Sequence, residues 1–131
     1  MKRLHMLPVL GLVCFSITQA RELTCDRSSL NTQDVAMCLQ VDLEKADRQL
    51  NRRYQQLYQS LLAEGTELTP ENKDAAKQLK LAQKQWLRFI ETDCNAKYQL
   101  ARAGTARNVV QISCLLEHTK LRTRQLIDWN K

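Results

Sequence analysis

The sequence predicts an all-α fold, a small antiparallel helical bundle of about three helices tied by two disulfides. Three observations carry that expectation. Past residue 20 the chain breakers are Gly65, Gly104 and Pro70, and each falls at a boundary between periodic segments. Within those segments apolar residues recur every three or four positions, the spacing of one helix face. No stretch alternates apolar and polar residues as a half-buried strand does. There is no internal repeat and no low-complexity segment.

The first 20 residues are read as a leader rather than as fold. Lys2 and Arg3 are followed by the almost wholly apolar residues 4–17, and Thr18-Gln19-Ala20 offers a small residue at each critical position of a cleavage site. That is the pattern of a secretory signal peptide, and it places residues 21–131 as one domain that is periplasmic or secreted. The apolar stretch falls short of the about 20 residues a spanning helix needs. Cys14 lies inside it, and Val13 is a poor fit to the small residue that precedes a lipid-anchoring cysteine. Cutting after Ala20 takes 20 from 131 residues and leaves 111, enough for a modest single core. Losing Lys2 and Arg3 lowers the formal charge from +6 to +4, a mildly basic protein. Cys25, Cys38, Cys94 and Cys114 remain, an even count that suggests two disulfides in an exported domain.

Helix one is expected from Thr32 to Ala63. Asn31 and Asp34 supply its capping pair. Leu39, Leu43, Ala46, Leu50, Tyr54, Leu57 and Leu61 form one apolar stripe. Residues 64–69 are a turn. Helix two begins at Thr69-Pro70, an N-cap followed by a proline in the first turn, where its missing N–H costs nothing. Its apolar face is Leu79, Ala82, Trp86, Phe89 and Ile90. It ends before Ala103-Gly104-Thr105. Helix three places Val110, Cys114, Leu115, Leu121, Leu126 and Trp129 on its inner side.

The cysteines agree with this layout. Helices two and three share a short turn, so they should run antiparallel. Cys94 and Cys114 are equidistant from Gly104, each about 15 Å along its own helix at a rise of about 1.5 Å per residue. They reach the same level and can meet. Cys25 then takes Cys38, tying the N-terminal segment to the start of helix one.

The same register sets Trp86 level with Arg122 across the second hairpin and with Asp47 across the first. The expectation is a structural polar layer of Trp86, Asp47 and Arg122, an ion pair packed against an indole, because a half-buried carboxylate requires a partner. Asp93 is a further polar residue on the inner face of helix two, to be met by a donor from helix three or by a local backbone group.

Few residues suggest chemistry. His118 follows Cys114 by four positions, half of a zinc-site spacing, but the sequence offers no second half and the cysteine has a better partner. No serine or cysteine nucleophile comes with a recognisable base, no glycine-rich phosphate loop is present, and the carboxylates have no glycosidase-like spacing. The expectation is therefore a protein that is not an enzyme and has no cofactor and no metal. Lys73, Lys77, Lys80, Lys84 and Arg88 share the side of helix two away from its apolar stripe. That face is either simply solvated or a contact for an anionic partner of the envelope. An exported protein of modest charge with no stacking aromatics on that stripe is not a nucleic-acid binder.

Four segments together carry a family resemblance: Met37-Cys38, "ADRQLNRRYQQL" at 46–57, "AQKQWLRFIETDC" at 82–94 and "CLLEHTKLRTRQL" at 114–126. The chain resembles the LprI-type lysozyme inhibitor N-terminal domain family, small periplasmic proteins, over about residues 25–126. The resemblance implies a helical, disulfide-tied domain outside the cytoplasm, with a protein partner that is a lysozyme or another muramidase. Because animal lysozymes are basic and this chain is too, inhibition would rest on a local acidic or loop element, or on a more acidic muramidase. The candidates are Glu64, Glu67 and Glu71 around the first turn, and the turn 103–107. The alternative is an envelope interaction or immunity-type protein that binds another partner through the basic face of helix two.

Overall fold

A computed structural model describes residues 25, 31–63 and 69–130. The expected leader, Glu64 and Glu67 lie outside the described residues. Three helices account for nearly all of them: α1 (Thr32–Ala63), α2 (Pro70–Leu100) and α3 (Arg107–Ile127), with a short 3-10 turn, Asp128–Asn130, closing the chain. The all-α bundle expected from periodicity is the observed one, and no strand is present among the described residues.

The helix starts follow from local chemistry. Asn31 Oδ1 accepts the backbone N–H groups of Gln33 and Asp34, both at 3.0 Å, and so satisfies two donors that a helix N-terminus leaves open. Thr69 does the same for α2, accepting from Asn72 N at 3.2 Å with Pro70 in the first turn. The start of α3 lacks this help. Ala106 offers no side-chain cap, and the first turn has no acid and begins with Arg107, a cation at the positive end of the helix dipole. The turn before it closes through Gly104 N–H to Ala101 O at 3.0 Å. A Cβ at Gly104 would meet Ala101 O at 3.6 Å, an ordinary contact, so the chain reverses there without requiring glycine.

The contacts give the helix directions. Leu39 and Ala46 of α1 meet Leu116 of α3, while Leu50 and Leu57 meet Leu79 of α2 and Leu126 of α3. The Arg53 guanidinium donates to Ile127 O at 3.3 Å. Thus α1 and α3 run in the same sense, and α2 runs against both. The more extensive contact is between α1 and α3, and the narrowest is between α1 and α2. Burying a leucine fully contributes roughly 1.5–3 kcal/mol, so Leu50, Leu57, Leu79 and Leu126 anchor the bundle.

Trp86 is half-buried and packs against this four-leucine cluster. Within "AQKQWLRFIETDC" seven of the thirteen residues are exposed, whereas Trp86, Ile90 and Cys94 turn to the core. Three expected core residues are not in it. Phe89 is 56% exposed, Leu121 44% and Trp129 44%. Phe89 lies about 100° around α2 from the buried line of Leu79, Ile90 and Cys94, at the edge of what one helix face covers. Leu116 and Thr119 are buried instead. Helix α3 contacts both other helices, so its buried arc is wider than one stripe.

Candidate functional site

Both disulfides form as the register implied, Cys25–Cys38 and Cys94–Cys114, with Cα–Cα distances of 5.7 and 5.6 Å. The second lies within a cluster of polar side chains. Asp93, next to Cys94 on α2, places Oδ2 2.9 Å from His118 Nε2 on α3. Lys97, one turn further along α2, brings Nζ to 3.8 Å from the same oxygen. The Phe89 ring and the imidazole meet in a T-shaped contact, ring centres 5.5 Å apart at 88°. The donor for Asp93 is thus His118 from helix three.

A carboxylate only accepts, so Nε2 carries the proton in this pair. The hydrogen bond from His118 is the largest influence on Asp93 and, with the nearby Lys97 and His118 charges, holds its carboxyl below the usual carboxylate range against some desolvation. A depressed carboxyl contributes stability that is complete above the ordinary value of about 4 and is lost as pH falls through the folded value. Urea denaturation of the protein and of Asp93→Asn at a series of pH values should show a stability gap that closes between about pH 5 and pH 2. A constant gap across that range would contradict this role for Asp93. The gain is small, because Asp93 is about one-third exposed and partly screened.

Chemically, the cluster has a histidine and an acid that orients it. The neighbouring sulfurs are bonded to one another, so in this state neither is a thiolate for the histidine to activate. Cys114 Sγ is 3.7 Å from Asp93 Oδ2 and has no proton to donate.

The expected Asp47–Arg122 layer is corrected. Asp47 is exposed and accepts from Asn51 Nδ2 at 3.2 Å on its own helix, so it is not part of a polar core. Arg122 is half-buried; its Nε donates to Gln83 Oε1 at 3.2 Å and its Nη1 to Gln125 Oε1 at 3.4 Å. The physical reason is the geometry of α1. It leans on α3 more than on α2, and Asp47 sits on the flank of its apolar stripe, at the open edge facing Lys80 and Lys84. Gln83 lies within α2's buried arc and takes the guanidinium. Burial pushes the Arg122 guanidinium down from its ordinary value.

The surface candidates are simpler. Glu71 is exposed in the first turn of α2. The turn 103–107 is exposed throughout, and the Cys94–Cys114 bridge fixes the hairpin that presents it. Lys73, Lys77, Lys80, Lys84 and Arg88 are all exposed, and none forms an ion pair with a described residue. The sequence missed Gln83 as the partner of Arg122, since a neutral amide among charged residues gives no signal. It also named Asp93 and His118 separately without joining them.

Residues 25–126 match the family described as Lysozyme inhibitor LprI. The chain belongs to the LprI family. An uncharacterized protein of Rhizobium meliloti (strain 1021) is similar to it, 30% identical over 105 residues, covering 76% of this chain and 74% of that one. No solved structure matches. The LprI match spans all three helices and both disulfides, so the cysteine framework and the Trp86 core belong to the part this chain shares with its family. No helix among the described residues of this LprI protein is long and apolar enough to cross a membrane.

Proposed function

We propose that this LprI protein is a periplasmic or secreted, non-enzymatic binding protein that inhibits a lysozyme-type cell-wall hydrolase. The observation that carries the reading is the family match across residues 25–126, the whole disulfide-tied bundle. The geometry supports it in one respect. A hydrolase cleft is blocked by a rigid projection, because a segment ordered beforehand loses little entropy on binding. This bundle offers two ends of that kind, the exposed hairpin turn 103–107 and the start of α2 with Glu71; Glu64 and Glu67 precede the latter in sequence and carry the same charge.

Acids at the start of α2 suit a basic hydrolase, and electrostatic steering of that kind weakens with salt. Replacing Glu64, Glu67 and Glu71 with Gln should raise the concentration needed for half-inhibition by about tenfold, equivalent to about 1.4 kcal/mol of binding. Melting temperature should fall by no more than a few degrees, because Glu71 is exposed and contributes only its charge to the first turn of α2. Unchanged inhibition by this triple variant, and by one with an altered 103–107 turn, would move the contact away from both ends.

A second reading rests on the basic face of α2. Five exposed cations with no ion pair to a described residue offer an unneutralised strip to an acidic partner. An envelope interaction or immunity-type role then follows, and charge reversal at Lys77, Lys80 and Lys84 should abolish capture of that partner while the triple glutamine variant leaves it intact.

A further inference from the structure

We propose that reduction of the Cys94–Cys114 disulfide turns the α2–α3 junction into a four-ligand site for a zinc-class divalent cation. The ligands are the two thiolates, His118 Nε2 and one carboxylate oxygen of Asp93. The sequence showed only half of this set, Cys114 and His118. The fold supplies the other half by bringing Asp93 and Cys94 across from α2.

The geometry is close to what a tetrahedral ion demands. One ligand atom from each of the four residues lies within 4.8 Å of all the others. Zinc holds sulfur at about 2.3 Å and nitrogen or oxygen at about 2.0–2.1 Å, so donor atoms sit about 3.3–3.8 Å apart. His118 Nε2 and Asp93 Oδ2 are 2.9 Å apart, and Asp93 Oδ2 and Cys114 Sγ are 3.7 Å apart. The first distance must widen slightly, any pair near the 4.8 Å limit must close, and the sulfurs must separate, by side-chain rotation about helix positions whose Cα atoms are already 5.6 Å apart. Cys114 and His118, at i and i+4, share one face of α3.

The surroundings fit the same ion. The sulfurs are buried, at 1% and 2% exposure, which shields thiolate–metal bonds from water. Asp93 and His118 are partly exposed, and they give the ion a way in. Phe89 braces the imidazole plane. Two thiolates and a carboxylate exceed the charge of one divalent ion by one, and Lys97 beside Asp93 offsets the excess. Two sulfurs with one nitrogen and one oxygen favour zinc over magnesium or calcium, which prefer oxygen.

The electron balance is simple. A dithiol reductant gives two electrons and two protons to Cys94–Cys114, becoming a disulfide itself and leaving two thiols. Binding of the cation releases both thiol protons to solvent, requires the neutral imidazole to carry its proton on Nδ1 instead of Nε2, and replaces the Asp93–His118 hydrogen bond with two metal bonds. The hairpin is thus cross-linked in either state, by sulfur when oxidised and by metal when reduced.

The test uses the chain carrying Cys14→Ser, Cys25→Ser and Cys38→Ser, so that Cys94 and Cys114 are its sole thiols. It is reduced with a phosphine, which takes up the disulfide's oxidising equivalents as phosphine oxide, and titrated with cobalt(II) and then zinc. The expected result is one ion per chain, a sulfur-to-cobalt charge-transfer band that zinc abolishes, and no such band before reduction. His118→Ala and Asp93→Asn in the same background should each weaken zinc binding at least tenfold. Both variants retain the disulfide, so their fold is checked by circular dichroism before reduction. Absence of the band, or zinc affinity unmoved by both substitutions, would overturn the proposal. So would a reduced chain that stays unfolded with zinc present.

Discussion

Removing the Cys94–Cys114 bridge, as Cys94→Ser/Cys114→Ser, should cost about 3 kcal/mol of stability, the value expected for a cross-link closing a loop of this length. For a domain of roughly 100 residues that corresponds to a fall in melting temperature on the order of 10–20 °C. The effect should be large here for a local reason. Helix α3 starts without a side-chain cap and with a cation in its first turn, so little else secures the hairpin at that end. Thermal melts of the oxidised protein and the double variant under metal-free conditions check the prediction. A shift below a few degrees would mean that the α1–α3 contact already fixes α3. Loss of Cys25–Cys38 should matter less, because it ties an exposed N-terminal residue to α1 rather than one helix to another.

The second large effect is expected at Leu79. It is 0% exposed and sits where α1, α2 and α3 converge, against Leu50, Leu57 and Leu126. Leu79→Ala should destabilise by about 3–4 kcal/mol, combining lost transfer energy with the cost of a cavity that rigid helices cannot close. Leu81, two residues on, is 47% exposed and serves as the control; Leu81→Ala should stay within about 0.5 kcal/mol. Urea denaturation of the two variants separates these outcomes. Equal, small effects would contradict the placement of the core.

The helices were legible because their starts are chemically marked. Asn31 and Thr69-Pro70 are capping signals, and both caps form as hydrogen bonds. The bridge between α2 and α3 was legible because its cysteines lie symmetrically about the turn. What was not legible depends on how three cylinders lean on one another. A helical wheel ranks Phe89 and Leu121 as inward, but the width of the covered arc is set by neighbours that the wheel does not contain. For the same reason Asp47 and Arg122 share a level without sharing a contact. Level follows from counting residues, whereas contact also requires that two flanks turn toward each other, and α1 turns toward α3. At the cluster, Asp93 and His118 were each visible as polar residues on inner faces. Their pairing needed the relative rotation of α2 and α3, which the disulfide alone does not fix.

Membership of the LprI family, by a match that takes in both disulfides, puts inhibition of a muramidase at the centre of the proposed function. The most direct measurement is a titration of the purified, oxidised protein against a panel of animal and bacterial muramidases, read as lysis of cell walls. Dose-dependent inhibition of at least one enzyme, surviving moderate salt, is the expected result. Full lytic activity of every enzyme at a large molar excess of the protein would contradict it.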